Sequence, residues 1–133
     1  MPDIEFSDII TKNIQIMKEE LYNLLHATKF KVLEVKNNVN QYNFKGVYLI
    51  SCNEKLIYVG KTRTGTIGTR IRDHVNITEP SDLNQMIKRH TNFPQQISEY
   101  DVQYIEIFDD RHRGLIEDFV ISVLNPPFNR VEN

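Results

Sequence analysis

The sequence predicts an α+β domain: a small three-stranded antiparallel sheet flanked by helices, with a helical extension at the N-terminus. Three observations carry this expectation. Residues 46–62 read G-V-Y-L-I-S-C-N-E-K-L-I-Y-V-G-K-T, two short β-branched and aromatic runs around a polar break, which is the pattern of a β-hairpin. Residues 101–108 alternate in the same way and supply a third strand. Around these strands, apolar residues recur every three or four positions, as helices require.

In chain order, residues 6–28 form the first helix. Phe6, Ile10, Ile14, Met17, Leu21 and Leu24 or Leu25 define its apolar stripe, and Ser7 is the N-cap. The stripe packs on the core or seats on a second subunit. Phe30 to Val35 reads as a short strand and residues 37–40 as a loop. The hairpin strands are 46–51 and 56–61. A loop of odd length, 52–54 or 51–55, puts Tyr48 opposite Tyr58 on one face, whereas a two-residue loop at Asn53-Glu54 separates them. The odd loop is expected, because a shared face makes a site.

Beyond the hairpin, Gly60-Lys61-Thr62 imitates the end of a phosphate-binding P-loop, but Lys55 stands where that loop needs its first glycine. A helix begins near residues 67–69, with Ile67, Ile71 and Val75 on one side and Arg70 and His74 together beside them. Pro80-Ser81 opens another helix through about His90, which Phe93-Pro94 ends. In strand 101–108, Ile105 and Ile107 face one way, and Val102, Tyr104 and Phe108 the other. Asp109-Asp110 caps the last helix, which runs to about Leu124 and stops at Asn125-Pro126-Pro127. Seven of its ten residues 115–124 are apolar, which predicts a largely buried helix.

The chain is 133 residues long and shows no repeat or linker, so it is expected to be one domain, an extension over 1–45 and a core over 46–133. No run approaches the roughly 20 apolar residues of a membrane span. The N-terminus lacks the basic start and apolar centre of a signal peptide. Cys52 is the single cysteine, which excludes an internal disulfide and a cysteine-based metal cluster. The expected compartment is the cytoplasm. A net charge of −2 is not that of a typical nucleic-acid binder. Its distribution is uneven, however. Residues 55–90 carry seven Lys or Arg against three acids, and residues 91–133 three against eight. The first region is basic enough to attract phosphates locally.

Glu117 is the most informative single residue. Within an apolar helix a half-buried carboxylate needs a partner or a metal, and Mg²⁺ is commonly held by one or two carboxylates with water and substrate phosphate. The plainer alternative is a surface pair with Arg113, four residues earlier.

Gly46-Val47-Tyr48, nine residues, then Tyr58-Val59-Gly60 resembles the paired motif of the GIY-YIG nucleases. Arg70 and His74 resemble the family's Arg and His four apart on a helix. Glu117, followed twelve positions later by Asn129 after Asn125-Pro126-Pro127, resembles its closing pattern. The gap between the tripeptides is one or two residues shorter than is common in the family, and the Gly-Thr loop delays Arg70 by about two. The resemblance implies a metal-dependent DNA endonuclease. Glu117 would hold one Mg²⁺ or Mn²⁺. Tyr48 would be the base, its pKa lowered by Lys61 and Arg70. Tyr58 and Asn129 would bind phosphate or order the site, and His74 would relay a proton or bind phosphate. Gly60, Lys61, Arg63 and Arg72 would line the phosphate path, with Arg111-His112-Arg113 as a further DNA contact. The last helix is expected to bring Glu117 close to Tyr48 and Arg70, and their lying on opposite sides of the sheet is the outcome that overturns the assignment. A double-strand cut takes two hydrolyses, so the first helix is expected to help form a homodimer. The competing class is a catalytically inactive module of the same fold that binds nucleic acid or protein.

Overall fold

The structure is a computed structural model and describes residues 3–75, 82–90 and 96–129. The chain runs through helix α1 (Asp3–Leu25), strand β1 (Phe30–Lys31), helix α2 (Val32–Asn37), strands β2 (Gly46–Cys52) and β3 (Lys55–Lys61), helices α3 (Ile67–Val75) and α4 (Asp82–Arg89), strand β4 (Asp101–Glu106) and helix α5 (Asp110–Leu124). The expected starts and stops at Pro80-Ser81 and Phe93-Pro94 lie outside the described residues. The strands form one antiparallel sheet in the order β1-β4-β2-β3.

The sheet has four strands rather than three. Phe30 and Lys31 pair with Val102 and Asp101. The strand expected to continue to Val35 gives way to α2, where Val32 and Val35, three apart, both turn inward and are fully buried. A short apolar run fits either period, and tertiary packing decides it here.

Alternation along β2 sends Tyr48, Ile50 and Cys52 to one face and Val47 and Leu49 to the other. The first face is covered by α2, α3 and α4 through residues such as Val35, Ile71 and Leu83. The second is covered by α1 and α5 through Leu24, Ile116 and Val120. Val102 and Tyr104 join the first face and Ile105 and Ile107 the second, as their alternation predicts. Phe108 does not: it lies past the strand end and is 83% exposed.

The hairpin loop is the even one, Asn53-Glu54, with both residues at positive φ (51° and 66°), as a tight two-residue turn requires. The expected odd loop is wrong, yet Tyr48 and Tyr58 still share a face. Ser51 pairs with Leu56 but Ile50 pairs with Tyr58, so Ile57 is an extra residue on β3. This β-bulge flips the alternation once and restores the parity that the turn had reversed. The two tyrosines are diagonal neighbours, because Tyr48 itself pairs with Gly60.

Helix α1 starts at Asp3, so Ser7 lies inside it and does not cap it. Only its C-terminal part packs, through Met17, Leu21 and Leu24. Phe6, Ile9, Ile10 and Ile14 remain exposed. Helix α5 is capped as expected: the Asp109 carboxylate accepts from the His112 amide at 2.8 Å, and Asn125 closes the helix in the left-handed conformation. It is less buried than its composition predicts, with Leu115 and Val123 half exposed. Among the described residues, no helix is long and apolar enough to cross a membrane.

Candidate active site

The two glycines of the paired tripeptides have separate packing reasons. A Cβ on Gly46 would stand 1.9 Å from the Ile105 carbonyl oxygen, so only glycine lets β4 approach β2 there. A Cβ on Gly60 would stand 2.4 Å from the Tyr48 ring and hydroxyl. Gly60 therefore clears the path by which Tyr48 crosses β3 towards the sheet edge. It is buried beneath that ring.

Tyr48, Tyr58 and His74 form a triangle of rings with centroids 5.5 to 6.4 Å apart. Tyr48 Oη lies 2.7 Å from His74 Nε2, and both side chains are fully buried. Arg70, half-buried one turn before His74, lies near enough to the phenol for its charge to act on it. Burial pushes the His74 pKa down to about 3, with the Arg70 charge adding to the effect, so the ring is neutral at physiological pH. Burial also pushes the Tyr48 phenol up, with Tyr58 adding to the rise and Arg70 opposing it. The lowered phenol pKa expected from Lys61 and Arg70 is not found, since desolvation outweighs the cation.

Glu117 reaches this cluster from the other side. Helix α5 packs on the face opposite Tyr48, which corrects the expectation that both lie on one side. The two still meet electrostatically. Glu117 contributes to the rise at Tyr48, and Arg70 lowers the Glu117 pKa. The reason is that β3 is the outermost strand. A tyrosine crossing it over Gly60 and a carboxylate beside Lys61 at its end can act on each other without sharing a face. The criterion of opposite sides suits a central strand and is too coarse for an edge. Burial pushes the Glu117 carboxyl up, and Lys61, Arg63 and Arg70 pull against it. Lys61 Nζ lies 4.0 Å from Glu117 Oε1, so the carboxylate pairs with Lys61 rather than Arg113.

The remaining candidates divide into two groups. Arg63 and Arg72 are both exposed: Arg63 acts on Glu117, whereas Arg72, two residues from Arg70 and His74 on α3, points away from them and lies 3.7 Å from Asp73. Asn129 is committed to the backbone: its Oδ1 accepts from Val59 N and its Nδ2 donates to Val59 O, each at 2.7 Å. It substitutes for a neighbouring strand on the open edge of β3. Both ends of its amide are thereby taken up by the strand and are not free for phosphate. Arg113, expected as a DNA contact or as the partner of Glu117, is 2% exposed and bonded to backbone carbonyls. The sequence did contain a signal for this, because Arg113, Ile116 and Val120 are spaced as one buried helical stripe.

The family model for the GIY-YIG catalytic domain matches residues 44–131, two-thirds of the chain and every residue of the cluster. The chain belongs to the GIY-YIG family. Among solved structures, this GIY-YIG protein resembles the N-terminal endonuclease domain of UvrC from Thermotoga maritima. The form bound to magnesium superposes with a TM-score of 0.53 at 17% identity, covering 73% of this chain and 97% of that one. A point mutant of the same domain, bound to its catalytic divalent cation, gives 0.53 at 16% identity over 74% and 97%. A second such mutant gives 0.52 at 15% over 73% and 97%. At these identities the likeness is one of fold. No curated protein matches the chain.

Proposed function

We propose that this GIY-YIG protein is a divalent-metal-dependent DNA endonuclease that hydrolyses phosphodiester bonds. One observation carries the reading: the Tyr48 phenol, hydrogen-bonded to a neutral His74, lies within electrostatic reach of both Arg70 and Glu117. Among the described residues, no three His, Cys, Asp or Glu side chains gather as a metal cluster. A single partly desolvated carboxylate suits a hard cation that completes its shell with water and phosphate oxygens. Glu117 would hold it, and bound Mg²⁺ or Mn²⁺ supplies Lewis-acid polarisation of the scissile phosphate.

The chain's own groups do the rest. Tyr48 takes a proton from the attacking water while its own passes to His74 Nε2. A buried phenol can act as a base this way without existing as a phenolate beforehand. Arg70 stabilises charge on the phosphoryl oxygens, and Lys61, Arg63 and Arg72 bind neighbouring phosphates. Tyr58 and Asn129 fix the geometry around them.

Supercoiled plasmid is the direct test: nicking is expected with Mg²⁺ and none in EDTA. Absence of any metal-dependent cleavage would favour the second reading, an inactive module of this fold that binds nucleic acid or protein. The full burial of Tyr48 in the free protein is the observation on that side.

Self-association goes with the nuclease reading, through the exposed Phe6, Ile9, Ile10 and Ile14 of α1. Light scattering at micromolar concentration is expected to give a dimer that Ile10→Asp converts to a monomer, with linearisation of plasmid lost and nicking kept. A wild type that is monomeric and only nicks removes the dimer. The reading also sets the protein in the cytoplasm, where Cys52, buried and free, stays a thiol.

A further inference from the structure

Arg113 is the largest of the fully buried side chains and carries a permanent charge. A buried cation is tolerated only where its donors are matched. Here they go to two separate segments. Nε donates to the Thr62 carbonyl at 2.9 Å and Nη2 to the Arg63 carbonyl at 3.4 Å. Nη1 donates to the Ile107 and Phe108 carbonyls, each at 3.0 Å. Nη2 also meets the exposed Asp110 carboxylate. The first segment directly follows Lys61, whose Nζ stands 4.0 Å from Glu117. The second leads into α5, on which Glu117 follows Arg113 by one turn.

We propose that Arg113 is a positioning residue: by tying the segment after β3 to the start of α5, it sets the separation of Lys61 and Arg63 from Glu117. The inference rests on the nuclease reading above. Being buried, Arg113 touches no substrate and acts through the backbone at Thr62 and Arg63. Its planar fork is what allows one side chain to hold carbonyls on both segments. A lysine keeps the charge but has a single nitrogen and cannot span them. Gly114 shows how close the packing is, since a Cβ there would stand 3.2 Å from Lys61 Nζ.

Single-turnover cleavage by Arg113→Lys tests this, alongside thermal melting and DNA affinity in EDTA. A misplacement of about 1 Å in a reacting constellation costs about 100-fold, so the rate is expected to fall by that order. Half-saturating Mg²⁺ is expected to rise, with DNA affinity near wild type. A lower melting temperature with an unchanged rate per folded molecule and unchanged Mg²⁺ dependence would mean a purely structural role and overturn the proposal. Gly114→Ala tests the same spacing should Arg113→Lys fail to fold. Alanine favours the helix, so this variant is expected to melt no lower than wild type. Its Cβ displaces Lys61, and cleavage is expected to slow by about tenfold or more. Full activity in Gly114→Ala overturns the proposal as well. A wild type without Mg²⁺-dependent cleavage removes the nuclease reading and this inference together. An active wild type matched by Arg113→Lys removes this inference alone.

Discussion

Replacing Glu117 with alanine is expected to lower DNA cleavage by about 1,000-fold or more, the loss of several kcal/mol of metal stabilisation in the transition state. DNA affinity at low salt is expected to stay near wild type or rise slightly. Binding depends on phosphate contacts from Lys61, Arg63, Arg70 and Arg72, and without a metal the Glu117 carboxylate only repels phosphate. Its removal also frees Lys61, 4.0 Å away, for the DNA. Stability should move the other way from activity. Burial pushes the Glu117 carboxyl up, ahead of the opposing pull from Lys61. A carboxylate whose pKa is raised on folding is ionised more readily in the unfolded chain, so at neutral pH it works against the fold. The variant is therefore expected to melt no lower than wild type while losing cleavage, a combination that a structural glutamate would not give. Cleavage by Glu117→Ala at the wild-type rate would place the metal elsewhere and end the assignment.

Much of the fold was legible because local and tertiary signals agree. The hairpin, the stripe of Ile67, Ile71 and Val75, and the Asp109 cap each have a period or a capping chemistry that packing does not override. The misreadings occur where local signals conflict or fall silent. Val32 and Val35 are β-branched, which favours a strand, yet they are spaced to bury together from a single helical turn. The bulge at Ile57 has no composition of its own, and only the pairing shows it. The even turn and the bulge are two register errors that cancel, so the shared face of Tyr48 and Tyr58 was reached by wrong reasoning. In α1 the periodicity was real but could not tell how much of the stripe finds a partner surface.

The candidate site divides in a similar way. The paired tripeptides, Arg70, His74 and Glu117 were singled out by the family resemblance, and the structure brings Tyr48, Tyr58 and His74 into one cluster. Their environments could not be named, because burial is a property of the folded neighbourhood. Desolvation is why the Tyr48 phenol is raised rather than lowered. For Asn129, only the structure shows both ends of its amide taken by Val59. Arg113 was read from its charge, which suggested DNA, and not from its place on the buried stripe. Charge is a poor guide where the donors are taken up by backbone carbonyls and a neighbouring carboxylate.

His74→Gln tests the proton relay through two independent readouts. Cleavage is expected to fall by about 100- to 10,000-fold, the range for a positioned acid–base group. Tyr48→Phe should fall similarly, and the double variant little further, because the two groups act as one unit. The second readout is stability against pH. The pKa of His74 is depressed to about 3 in the fold, from an ordinary value near 6.5 in the unfolded chain. Between these values the unfolded chain binds the extra proton, so stability is full above about pH 6.5 and is lost as pH falls towards 3. At pH 4.5 the loss from this one group is about 2–3 kcal/mol relative to pH 7, at 1.36 kcal/mol per pKa unit. His74→Gln keeps an acceptor for the Tyr48 hydroxyl but cannot take the proton. Urea unfolding at pH 7 and pH 4.5 should therefore show wild type losing more stability than the variant. The neutral ring also predicts that cleavage by the wild type has no inflection near pH 6.5. Equal acid losses in the two proteins would mean that His74 is not held neutral in the fold, and Tyr48 would then have no acceptor for its proton.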